Sequence, residues 1–68
     1  MSLSITVNGK PQSVPAGTTV SAWVEGQGWH PQQVAVEINQ ELVPRAERDS
    51  VVLQEGDRIE TVTLVGGG

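Results

Sequence analysis

LSITVNGKPQSVPAGTTVSAWVEGQG, residues 3–28, reads as two strands and a helix in direct succession. Leu3, Ile5 and Val7 alternate with Ser4, Thr6 and Asn8, the period-2 pattern of a strand with one buried face, and Asn8-Gly9 then supplies a turn that tolerates positive φ. The pattern predicts a hairpin whose second strand runs from about Pro11 to Val14 and stops at Pro15-Ala16-Gly17. Thr18 or Thr19 can cap a helix running from Thr19 to about Gln27. In that helix Val20, Trp23 and Val24 fall at i, i+3 and i+4 on one face, and Gly28 is placed as the left-handed stop.

Beyond the helix, Val34, Val36 and Ile38 alternate with Ala35, Glu37 and Asn39 as a further half-exposed strand. Pro44 and the charged run Arg45 to Asp49 read as surface connection, followed by a short strand from Ser50 to Leu53, a turn at Glu55-Gly56-Asp57 and a last strand from Arg58 to Leu64. The order is hairpin, helix, strand, short strand, strand. It predicts an α+β fold of β-grasp order, a mixed sheet of four or five strands crossed by one helix with a right-handed crossover. Residues 1–64 form the domain and residues 65–68 a flexible glycine tail, with no repeat or linker between.

Composition narrows the possible functions. A chain of 68 residues buries only about 60% of its unfolded surface, which supports a single core. That core is expected to be aliphatic, because Trp23 and Trp29 are the only aromatic residues. The net charge of −4 argues against nucleic acids and anionic membranes as partners, since both select clustered Lys and Arg; a basic protein surface is the better complement. With no cysteine there is no disulfide framework, thiolate metal site or cysteine nucleophile. Met1-Ser2-Leu3-Ser4 carries no basic region, and no stretch approaches the roughly 20 apolar residues of a membrane span, so the expected address is the cytoplasm.

No active site emerges from the side chains. His30, the only histidine, lacks partners for a triad or a metal site and is expected to be a solvated loop residue. Glu25, Glu37, Glu41, Glu47, Glu55 and Glu60 are scattered, as solvated surface charges are. Gly66-Gly67-Gly68 is the one segment that packing does not explain, because three glycines bury nothing and lose the most entropy on ordering. One reading is a frayed terminus. The other is an extended backbone slim enough to thread a partner's channel and present the Gly68 carboxylate. With a reference pKa of about 3.5 that group is ionised and a poor electrophile, so a partner must activate it, for example as an acyl adenylate formed from ATP. The chain has no phosphate-binding glycine loop of its own.

The stretch Val34-Ala35-Val36-Glu37-Ile38-Asn39, then Leu42-Val43-Pro44-Arg45, then Gly56-Asp57-Arg58-Ile59-Glu60 and the ending Val65-Gly66-Gly67-Gly68 closely resemble the ThiS family of sulfur carriers. The resemblance spans essentially the whole chain and is weakest between Glu25 and Gln33. It implies a β-grasp domain related to ubiquitin whose C-terminal glycine, here Gly68, is adenylated by a ThiF-type enzyme using ATP and converted to a thiocarboxylate. The domain itself would bind no cofactor. It further implies that the sulfur comes from cysteine through a desulfurase and passes to a thiazole synthase of the ThiG type, for the thiazole ring of thiamine. The absence of cysteine fits, since no side chain here could carry a persulfide. The chain departs from the family in having Trp23-Val24 where two leucines are common, and Thr61 where isoleucine is common. Three rival readings share the fold: a carrier for molybdopterin or a specialised metabolite, a ubiquitin-like modifier with Lys10 as its single lysine, and a passive interaction module.

The phase of the last strand decides what surrounds the tail. If Ile59 points inward, strict alternation sends Thr61, Thr63 and Val65 inward and leaves Arg58, Glu60, Val62 and Leu64 on the other face; a β-bulge would instead turn Val62 and Leu64 into the core. In the first case an apolar patch at the root of the tail, with Val65 leading into Gly66 and Gly67, would dock the domain on its activating enzyme. Arg58 and Glu60 would then set specificity at the rim.

Overall fold

The computed structural model describes residues 1–63. Strand β1 (Ser2–Val7) and strand β2 (Lys10–Pro15) form the expected hairpin, in register from Val7 opposite Lys10 to Ser2 opposite Pro15. Asn8 and Gly9 both have positive φ, 50° and 85°, as the two central residues of a type I′ turn require, and this twist matches that of the flanking strands. Pro11 and Pro15 are tolerated because β2 is an edge strand of the sheet.

Helix α1 (Val20–Gly26) is capped by Thr19, whose Oγ1 accepts from the Ala22 N–H at 3.1 Å. Gly28, at φ 85°, ends it as the spacing predicts. Strands β3 (Val34–Ile38), β4 (Glu41–Leu42) and β5 (Arg58–Thr63) complete a five-stranded sheet in the order β2-β1-β5-β3-β4, with β5 parallel to β1 and antiparallel to β3. A mixed sheet of this order with one helix and β5 at its centre is the expected β-grasp arrangement. Its core joins Ile5, Val7, Val14, Val34, Val36 and Ile59 of the sheet to Val20, Trp23 and Val24 of the helix and to Leu53. Trp23 meets Trp29 edge to face at 5.6 Å, and its Nε1 donates to Gln12 Oε1 at 2.6 Å.

The connections differ from expectation in three places. Asn39 and Gln40, at φ 53° and 71°, make a second tight turn into β4, a strand that periodicity over two residues does not reveal. The segment read as a short strand from Ser50 to Leu53 keeps only one bridge, Val52 with Thr19. Its main chain serves the helix instead: Val20 N–H donates to Val51 O, and Leu53 N–H to Thr18 O, both at 2.9 Å. In the run Arg45 to Asp49, read as surface connection, Arg45–Glu47 form a 3-10 turn and Arg48 is only 5% exposed.

The Arg48 Nη1 donates to Pro31 O at 3.0 Å and Nη2 to Val34 O at 2.6 Å, tying this connection to the start of β3; Nε finds no partner among the described residues. Burial, and secondarily the nearby Arg45 charge, lowers the guanidinium below the ordinary arginine value. Arg48→Ala leaves two carbonyls without their donor and should cost about 2 kcal/mol, measured as a lower urea midpoint at unchanged m-value. No helix among the described residues is long and apolar enough to cross a membrane.

Candidate docking site at the root of the tail

β5 is the strand that runs toward the tail, and its pairing with β3 is unbroken from Ile38 opposite Ile59 to Val34 opposite Thr63. A bulge would offset that register by one residue, so the last strand keeps strict alternation over residues 58–63. Ile59 is buried, Thr61 half-buried, and Arg58 and Glu60 are exposed. Val62 stands 60% exposed on the outer face. Thr63 shares the inner phase with its partner Val34 but is exposed, because β1 has already ended beside it. Leu64, Val65, Gly66, Gly67 and Gly68 lie outside the described residues.

The register also defines the neighbours of Val62 on the outer face. Ala35 sits opposite it on β3, Glu37 opposite Glu60, and Leu42 of β4 opposite Glu37. Leu42 is 61% exposed, so two large aliphatic side chains flank the Glu37–Glu60 pair. Like charges directly opposite on neighbouring strands repel, and a cation from outside would relieve them. The sequence gives no sign that Glu37 and Leu42 share this face with Val62. The signal that would have found them is the pairing of the two-residue strand β4.

Two asparagines fasten β5 near its start. Asn39 Oδ1 accepts from Arg58 N–H at 3.1 Å while its Nδ2 donates to Asp57 Oδ1, also at 3.1 Å. Asp57, buried, accepts from Gln54 N–H at 2.8 Å and closes the turn that feeds the strand. Asn8 holds Thr61 from the other side. Between the Asn8-Gly9 and Asn39-Gln40 turns lies a depression of about 470 Å³ lined by Thr6, Arg58 and Glu60 among others; its lining includes no histidine, cysteine or lysine.

Catalytic groups are not gathered anywhere among the described residues. His30 is exposed, and its Nδ1 accepts from Gln32 N–H at 3.2 Å as the cap of the 3-10 turn Pro31–Gln33. No group of three or more His, Cys, Asp or Glu side chains is placed to hold a metal ion among these residues. The geometry is that of an exposed face beside an outgoing strand.

Residues 5–68 match the sequence model of the ThiS family. The chain is 46% identical over 66 residues to a thiazole synthase of Magnetococcus marinus and 35% identical over 66 residues to a thiazole synthase of Paramagnetospirillum magneticum. Each match covers 97% of this chain and 20% of the relative, so the chain spans about a fifth of the length of these relatives. The crystal structure of the thiamine biosynthesis protein ThiS from Geobacter metallireducens superposes with a TM-score of 0.83 at 30% identity, covering 97% of this chain and all of that one.

Proposed function

This chain belongs to the ThiS family of sulfur carriers, and from that premise we propose that it carries sulfur for thiamine biosynthesis as a thiocarboxylate on Gly68. The observation that carries the reading is the family match over residues 5–68, which includes Gly66-Gly67-Gly68. An ionised carboxylate is a poor electrophile, so the Gly68 oxygen first attacks the α-phosphorus of ATP held by a ThiF-type adenylating enzyme, and pyrophosphate leaves. A sulfur nucleophile, its sulfur drawn from cysteine by a desulfurase, then attacks the carbonyl carbon of the mixed anhydride. AMP departs; where the nucleophile is a persulfide, the acyl disulfide so formed is cleaved by a thiol, which leaves oxidised as a disulfide, and the thiocarboxylate released has one oxygen replaced by sulfur.

Gly66 and Gly67 serve as the slim approach to the partner's active site, since a backbone without Cβ passes where a side chain would clash. The recipient of the sulfur is a thiazole synthase, in keeping with the likeness to part of two proteins of that name. All of these steps belong to the cytoplasm, where ATP and the desulfurase are at hand. The test is ATP–pyrophosphate exchange by the ThiF-type enzyme: it should depend on this chain, and exchange that ignores the chain would overturn the reading.

Docking uses the outer face of β5. Val62 supplies apolar contact and Arg58 and Glu60 set specificity at the rim; Leu64 and Val65, outside the described residues, are proposed as further apolar contacts to the partner. Val62→Asp and Leu64→Asp should each weaken binding to the adenylating enzyme by about 1 kcal/mol or more, with urea midpoints near wild type. At Val62 the 60% exposure is the reason to expect unchanged stability. Unfolding of the Val62→Asp variant would remove that side chain from the docking face.

A further inference from the structure

The attachment of β5 to β1 is short. Main-chain pairing covers only Thr6 with Arg58 and Val7 with Ile59, because the chain turns away at Asn8-Gly9, and the last main-chain rung runs from Asn8 N–H to Ile59 O at 2.8 Å. A parallel ladder would next receive Thr61 N–H on the main-chain carbonyl of residue 8. Here the left-handed Asn8, φ 50°, has entered the hairpin turn, and its side chain substitutes for the missing rung. Asn8 Oδ1 accepts from Thr61 N–H at 3.0 Å, and Asn8 Nδ2 donates to Thr61 Oγ1 at 2.9 Å. Past Ile59, the described part of β5 is held on its other edge by β3, through Val34 opposite Thr63. The Asn8 carboxamide is therefore the hold from the β1 side on the part of β5 that leads to the tail.

We infer that Asn8 is a positioning residue: its two-point hold on Thr61 fixes the direction in which β5 leaves the sheet, and with it the aim of the Gly68 carboxylate. The functional half of this rests on the carrier reading above. Gly68 is the seventh residue beyond Thr61, within a chain reach of at most about 25 Å. The search of the Gly68 carboxylate for the nucleotide starts from that root, so a loosened root adds its own spread to the search, while reacting atoms must be held within ~3–3.5 Å. A loosened root leaves the β3 register of the docking face in place, so binding is weakened less than the share of docked complexes that react is lowered. Asn8 thus governs turnover more than binding.

The variant that tests this is Asn8→Gly, because glycine keeps the positive φ of the turn and removes only the carboxamide. Hydrogen exchange of the Thr61 amide should accelerate about tenfold or more, and amide order parameters at Val62 and Thr63 should fall below the ~0.85 of rigid backbone. With the ThiF-type enzyme, kcat for adenylation should drop about tenfold while KM for the carrier stays within about twofold. Asn8→Asp keeps an acceptor for the Thr61 N–H, and the Thr61 hydroxyl can turn to donate, so this variant should recover most of both readouts. Unchanged exchange at Thr61 in Asn8→Gly overturns the clamp. A rise in KM at constant kcat, or Asp behaving like Gly, overturns the positioning role. Were the wild-type chain not adenylated at all, the carrier reading would fall, and the exchange and order parameters would still decide the clamp.

Discussion

Removal of Gly68, or replacement of Gly67 by isoleucine, is expected to abolish adenylation and leave the melting temperature within about 2 °C of wild type. In a domain of this size 1 kcal/mol moves the midpoint by about 4–8 °C, so the stability half of the expectation is sensitive to a contribution of only a few tenths. The two variants fail for different reasons. Without Gly68 the reactive carboxylate is one residue, or about 3.3–3.6 Å, short of the nucleotide, while a β-branched side chain at position 67 blocks a channel shaped for bare backbone. Glycines have no side chain to bury, so neither change touches the apolar core. Pyrophosphate exchange and thermal denaturation read the two halves separately. A large fall in melting temperature would show that the tail is packed, persistent exchange without Gly68 would show that Gly68 is not the acyl group, and persistent exchange in the Gly67 variant would show that the channel is not shaped for bare backbone.

The second large effect lies at the opposite end of the chain of causes, in the core that holds the sheet together. Trp23 is 3% exposed, packs edge to face on Trp29 and donates its indole N–H to Gln12. Trp23→Ala removes the largest apolar side chain of α1 and also strips Gln12 Oε1 of a donor. Truncations of this kind cost about 3–5 kcal/mol, which matches the ~3–5 kcal/mol that a core in so short a chain supplies altogether. The variant should be largely unfolded at 25 °C by circular dichroism and should lose adenylation with its fold. Trp23→Phe, which keeps an aromatic ring in the site, should retain a cooperative transition at a lower urea midpoint. A Trp23→Ala protein melting within about 5 °C of wild type would mean that the helix is anchored elsewhere.

The same core explains which parts of the fold were legible in the residues. Leu3 to Val7 and Val34 to Ile38 alternate because one face of the sheet packs on α1, and Asn8-Gly9 can form the tight turn it forms because both positions tolerate positive φ. Thr19 and Gly28 bracket the helix for reasons equally local. What stayed hidden depends on partners distant in sequence. Strand β4 is two residues long and follows a turn with Gln40 at φ 71°, a residue that gives no turn signal. Arg48 sits in a charged run and reads as solvated, yet its guanidinium is drawn inward by the carbonyls of Pro31 and Val34.

The candidate site divides along the same line. Alternation alone left Val62 either outside or in the core, and only the unbroken register with β3 decides for the outside. Glu37 and Leu42 join it through cross-strand pairing that no local pattern encodes. Asn8 was legible as a turn residue and not as a clamp, because its second role depends on Thr61, more than fifty residues along the chain. Leu64, Val65 and the three glycines lie outside the described residues, and their part in the account rests on chemistry and on the family match.

That chemistry is open to one direct measurement. The intact chain, incubated with ATP, a ThiF-type adenylating enzyme and a sulfur source, should become heavier by about 16 Da as one oxygen of the Gly68 carboxylate is replaced by sulfur. The gain should vanish when ATP is withheld, since activation precedes sulfur transfer. A mass that stays unchanged with every component present and the chain folded, or a gain located by fragmentation anywhere other than Gly68, would contradict the proposal that this protein carries sulfur on its C-terminal glycine.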